Sequence, residues 1–320
     1  PADEDDRRVR INVLGGMDVR AAGRAVGNTA LERRRAKSML ALLVAIPGHV
    51  AKRFTIMESV WPEYDYETAH RCVYSATSVL RTEICGALGD EDGTSVVFSN
   101  RSDRTVLLNM DLVSCDVDAF EEKARRVLDS AGDDRLIVAL CRDIEDLYRG
   151  PLFIPPTDGA GIVEARSREL QGLYADVMVA GAEAALRTDM KTIACRFARK
   201  AHEEDGMRED AVRVLIIALC DAGRQVEAEQ TYERYVSHVV DVTRRPPSRG
   251  LRNVVGQLLG ERLRDRVPRR RWHGEAPKES QESMEAAEEG DDGGAGDESE
   301  GSSSQLRIDF GEEGLAAASA

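Results

Sequence analysis

The sequence predicts a mainly α chain: small antiparallel strands with three helices, then an all-helical region, then a disordered acidic tail. Three observations predict it. Between Leu31 and Leu108, three helical patterns are followed by a hairpin pattern. After Asp116, helix follows helix, and apolar positions echo at a spacing of thirty-four residues. From Glu275 onward, Glu, Asp, Gly and Ser replace apolar periodicity, a composition unable to offset the entropy of ordering.

The elements follow in chain order. Pro1-Ala2-Asp3-Glu4-Asp5-Asp6 has no signal-peptide pattern and reads as the end of a linker. Val9, Ile11 and Val13 alternate with polar residues, as in a half-buried strand. Gly15-Gly16 turns the chain, Met17 to Arg20 returns it, and Ala22-Gly23 turns it again, which predicts a small antiparallel meander. A first helix is expected from Leu31 to Val44 and a short second one from Thr55 to Trp61, stopped by Pro62. A third is expected from Glu67 to Ala87, with Val73, Thr77, Leu80 and Ile84 forming one buried stripe. Residues 95–98 and 105–108 read as two strands around the turn 99–104.

Helix, helix, helix, hairpin is the order of a winged helix-turn-helix, in which one helix lies in the major groove of double-stranded DNA. On the third helix, Arg71, Tyr74, Ser75 and Ser78 lie at i, i+3, i+4 and i+7, opposite the buried stripe. Arg bonds guanine edges, hydroxyls bond bases or phosphates, and Tyr reaches phosphate. Lys52 and Arg53 precede the second helix, where cations oppose the helix dipole and a docked phosphate would offset them. Arg101 and Arg104 flank the hairpin tip, as in a wing that touches a minor groove or a phosphate. The bland alternatives are an ordinary solvated helix face, two cations in water and a solvated turn.

Charge agrees with the DNA reading. Residues 7–89 hold thirteen Lys and Arg against seven Asp and Glu, a net of +6. Residues 275–320 hold two against fourteen, a net of −12, so the tail accounts for nearly all of the chain's −14. A basic run from Arg262 to Arg271 precedes the tail.

Other classes are weaker. Six cysteines without C-x-x-C spacing read as free thiols of a reducing cytoplasm, and five histidines lack metal-ligand spacing, so neither metal nor cofactor is expected. No phosphate-binding glycine motif follows Gly15-Gly16. The pairs Glu121-Glu122 and Glu203-Glu204 diverge around a helix, and no nucleophilic triad appears, which argues against an enzyme. No apolar run reaches a membrane span, so a soluble, cytoplasmic chain is expected. The competing function is a protein-interaction scaffold whose winged helix does not touch DNA.

In the second half, breaks fall at Gly132-Asp133, Gly150-Pro151, Pro155-Pro156, Gly206 and Gly223, and a long helix is expected from Ile162 to Leu186. Ala182, Ala194 and Ala201 recur as Ile216, Ala228 and Tyr235 at the thirty-four-residue period of a tetratricopeptide repeat.

The two halves in this order resemble the Streptomyces antibiotic regulatory protein family of transcriptional activators. The residues that carry the resemblance run from Val9 to Leu259: Arg34 to Leu43, Val60-Trp61, Val79-Leu80-Arg81, Val117 to Phe120, Tyr148 to Leu152, Gly223-Arg224, Glu227-Ala228, Tyr232 and Pro247-Ser248. The resemblance implies an OmpR-type winged helix joined to a bacterial transcriptional activation domain of tetratricopeptide type. It implies binding to direct repeats, which admits a homodimer, and recruitment of RNA polymerase. The expected parts are a linker over 1–6, a winged-helix DNA-binding domain over 7–112, the activation domain over 113–262, and a basic junction with the tail over 263–320. Three positions depart from the family pattern. Arg104-Thr105 stands where a Gly-aromatic pair closes the wing, Lys52 where a capping hydroxyl is usual, and Arg244-Arg245 where a Gly precedes Pro-Ser.

Overall fold

A computed structural model describes residues 9–27, 35–88, 96–100, 102–130 and 132–264. Residues 31–34 of the expected first helix, Arg101 and the acidic tail lie outside that set, so the disorder expected of the tail does too.

The chain opens with strands β1 (Val9–Asn12), β2 (Asp18–Ala21) and β3 (Arg24–Ala25), paired antiparallel as a meander. Strand β7 (Val113–Cys115) returns from beyond residue 112 to pair parallel with β1, giving the order β3-β2-β1-β7. The sheet therefore closes with a strand that the sequence reading placed in the second domain. Alternation works as expected, with Val9 and Ile11 fully buried and Arg10 between them exposed.

Helices α1 (Ala36–Ala45), α2 (Arg53–Val60) and α3 (Tyr66–Leu80) follow. Helix α1 is buried nearly all round because it packs on α2, α3 and the long helix of the second half. Strand β4 (Val50–Lys52) leads into α2, and β5 (Val97–Asn100) and β6 (Thr105–Leu108) form the hairpin. Their order is β4-β6-β5, so the wing has a third strand that periodicity did not reveal. The expected span of the third helix is helical but not uniform: α3 gives way to a π-helical turn at Arg81–Cys85, and a last helical stretch follows at Gly86–Leu88.

Seven helices complete the described chain: α4 (Asp116–Asp129), α5 (Asp134–Leu147), α6 (Gly161–Arg187), α7 (Lys191–Glu204), α8 (Glu209–Asp221), α9 (Gln225–Thr243) and α10 (Arg249–Leu259), with a short turn at Glu261–Arg264. Neighbours in sequence pack as neighbours in space from α4 through α9, including α5 on α6 across the longer loop that joins them. The repeat is physical. Ala182 in α6 and Ile216 in α8 are buried equivalents, as are Ala194 and Ala201 in α7 with Ala228 and Tyr235 in α9. Small residues at these seams let backbones approach closely.

The two halves share one core. Leu14 bridges to Leu152, the Gly15 amide donates to the Pro151 carbonyl at 2.9 Å, and the Phe153 amide donates to the Val13 carbonyl at 2.8 Å. Gly15 is required there, because a Cβ would come within 2.7 Å of the Arg149 backbone. The loop 155–160 docks on α2: Thr157 Oγ1 donates to the Ser59 carbonyl at 2.9 Å, and any Cβ on Gly159 would overlap the Glu58 carbonyl. No helix among the described residues is long and apolar enough to cross a membrane.

Candidate nucleic-acid interface

Helix α3 carries the site. Asp65 caps it, its side chain accepting from the Thr68 amide at 3.0 Å, which holds that carboxyl below its usual range. Its inner face is Ala69, Val73, Ala76, Thr77 and Leu80, all buried. Thr77 satisfies its buried hydroxyl on the Val73 carbonyl at 2.8 Å. The outer face displays Arg71, Tyr74 and Ser78, all exposed, while Ser75 is half-buried at its edge. All four predicted residues of α3 therefore lie away from the core.

One flank of this face is a cleft of about 420 Å³ lined by Arg35, Trp61, Tyr64, Thr68, Arg71, Cys72 and Ser75. Arg35 reaches it from the start of α1, donating to the Val60 carbonyl at 2.7 Å and pairing with Glu63 at 2.7 Å. Glu63 is held below its ordinary pKa by that hydrogen bond. The other flank is aromatic. Tyr66, His70 and Tyr74 lie at i, i+4 and i+8, with ring centroids 5.9 and 5.0 Å apart in successive pairs. Of these three rings, only Tyr74 is among the residues that the sequence singles out as DNA contacts. A helical-wheel count of aromatics alone would have found the stripe.

Arg53 corrects the sequence reading. It was expected to face phosphate beside Lys52, yet it is buried. Its guanidinium donates to the Tyr74 hydroxyl at 2.9 Å, to Ser99 Oγ at 2.8 Å and to the Asn100 carbonyl at 3.2 Å, and lies 5.0 Å from the Tyr74 ring centroid. It joins α2, α3 and the wing, so it positions Tyr74 rather than meeting a phosphate. Lys52 does point outward, from the end of β4 where it pairs with Thr105. The N-terminus of α2 is partly satisfied from within, because the Arg53 amide donates to the Arg104 carbonyl at 2.8 Å.

Arg104 is exposed and takes a left-handed φ of 52°. That is the conformation a glycine would supply at the wing-closing position. Arg244, the other place where Arg stands for the family's Gly, is likewise left-handed at φ 58°. Both departures keep the backbone and accept the strain. Arg101 lies outside the described residues.

Elsewhere, buried groups serve the fold. Asp116 accepts from the Val13 and Leu14 amides at 2.9 Å and clamps the end of β1. Burial raises its pKa, opposed by those amides and by Arg149. Burial also pushes the thiols of Cys115 and Cys141 up, and no disulfide joins cysteines among the described residues.

Residues 115–259 match the bacterial transcriptional activator domain. The match begins at the last residue of β7 and ends at the last residue of α10, so it covers α4 through α10. No curated protein matches the chain significantly. Among solved structures, Mycobacterium tuberculosis EmbR in complex with a low affinity phosphopeptide is similar, at 21% identity and a TM-score of 0.62. The similarity covers 79% of this chain and 65% of that one, and at such identity it concerns the fold. The segment that matches this domain rests on α2 through its loop 155–160.

Proposed function

We propose that the chain is a DNA-binding transcriptional activator of the Streptomyces antibiotic regulatory type. In this reading residues 7–112 form the OmpR-type DNA-binding domain and residues 113–262 the activation domain. One observation carries it: α3 presents Arg71, Tyr74 and Ser78 as exposed side chains opposite its buried stripe, in a chain whose residues 115–259 match a bacterial transcriptional activator domain. Helix α3 enters the major groove, with Arg71 and Ser78 toward base edges and Tyr74, braced by Arg53, toward the backbone. Lys52, at the end of β4, and Arg104, just before β6, contact phosphates without sequence preference. Recruitment of RNA polymerase and binding to direct repeats as a homodimer follow from the family resemblance.

The test is a footprint of the full chain on upstream DNA, repeated across salt concentrations. Binding that discriminates one sequence from random DNA, and that weakens with salt, is expected. A second reading, a protein scaffold, is favoured by the exposed side chains of Phe54, Tyr64 and Tyr66, which border a groove against Gly159. Absence of salt-dependent DNA binding would favour the scaffold.

A further inference from the structure

Strand pairing and helix docking bring together three metal-ligating side chains that are far apart in sequence. His49 ends the turn Pro47–His49 ahead of β4, Cys115 ends β7, and Asp118 lies in the first turn of α4. His49 Nε2 lies 3.0 Å from both carboxylate oxygens of Asp118, and ligand atoms of all three residues lie within 4.8 Å of one another. We propose that His49, Cys115 and Asp118 form a zinc site that fastens the DNA-reading half of the chain to its activator domain.

The arrangement has the features such a site needs. Ligands around a tetrahedral zinc at about 2.0–2.3 Å lie about 3.3–3.6 Å from one another. The nitrogen–oxygen pair must open by a few tenths of an ångström, and the thiol, within 4.8 Å of the other ligand atoms, must close by no more than about 1.5 Å. His49 Nδ1 faces the Leu43 carbonyl at 3.2 Å, which fixes the proton there and turns the Nε2 lone pair toward the site. The backbone of His49 is held left-handed at φ 55°, a cost accepted to bring the ring inward. His49 and Cys115 are buried, whereas the Asp118 side chain is 43% exposed and opens the site to solvent. That mouth gives the metal a path in and a water for the fourth position.

Ligand chemistry selects the ion. A thiolate with an imidazole and one carboxylate suits zinc and excludes the oxygen-loving magnesium and calcium. Thiolate and carboxylate together balance a dication, so the occupied site is neutral in a mostly buried place. Binding releases the thiol proton, and any proton on Nε2, to solvent. Neighbouring acids are otherwise engaged: Asp116 on the Val13 and Leu14 amides, Glu121 on Arg166 at 2.6 Å.

The test is titration of the full chain with cobalt(II), then displacement by zinc against a chromophoric chelator. One equivalent is expected, with the thiolate-to-cobalt charge-transfer band of a tetrahedral site. Cys115→Ser should lose the band and Cys195→Ser should keep it. Asp118→Asn alters a partly exposed carboxylate and so tests the site even where Cys115→Ser fails to fold; it should weaken binding at least about tenfold. Absence of stoichiometric binding, a band that survives Cys115→Ser, or unchanged affinity in Asp118→Asn would each overturn the site and leave a His49–Asp118 hydrogen bond between the two halves.

Discussion

Helices α3 and α7 are of similar length but answer to different partners. Helix α7 lies between α6 and α8 and buries Ala194, Cys195, Phe197, Ala198 and Ala201, small residues around one large ring. Helix α3 buries one stripe and leaves Tyr66 and Tyr74 at 59% and 42% exposure beside Arg71 and Ser78. A face with two tyrosines and an arginine keeps its polar groups in water and its rings available to a partner, whereas a seam of small residues is stabilised by close packing. The contrast separates residues kept for stability from residues available for a partner.

The largest test of that contrast is Phe197→Ala, which leaves a cavity at a fully buried ring and should cost about 3–5 kcal/mol in denaturant unfolding. Ser78→Ala on α3 should change stability by no more than about 0.5 kcal/mol. A comparable loss in both variants would erase the distinction. Next, Arg71→Ala should leave the unfolding midpoint in place while weakening target DNA by about 1–3 kcal/mol and relaxing discrimination against random DNA. Unchanged discrimination in a competition assay would remove Arg71 from the reading face.

The adjacent pair Lys52 and Arg53 sharpens the comparison within one dipeptide. Arg53→Ala strips partners from Tyr74, Ser99 and Asn100 and should cost about 1–3 kcal/mol of stability. Lys52→Ala should leave stability alone and lower the salt slope of DNA binding by about one. Interchanged outcomes would mean that Arg53 turns outward in solution. A gain rather than a loss is expected at Arg244→Gly, where relief of the left-handed backbone should raise stability by about 1 kcal/mol, read as an upward shift in the thermal midpoint. A fall would show that the Arg244 side chain offsets its own strain.

Legibility followed the range of the interaction. The π-helical turn at Arg81–Cys85 was hidden, because its apolar stripe continues to Ile84 in the same register as the helix before it. Of the expected site, the outer face of α3 was readable because burial of Val73, Thr77 and Leu80 dictates which side faces out. The partner of Arg53 was not readable, since a long cation beside another cation looks the same in sequence whether it meets water or a tyrosine on a neighbouring helix.

By itself, the sequence determined the helices, the stop at Pro62, the meander and the thirty-four-residue echo, because each rests on periodicity or backbone preference within a few turns. Tertiary structure alone decided the pairing of β7 with β1, the third strand of the wing, the inward Arg53, and the meeting of His49 with Asp118 across 69 residues. Those depend on which distant surfaces pack together, and the geometry of a shared core is set by all of its residues at once.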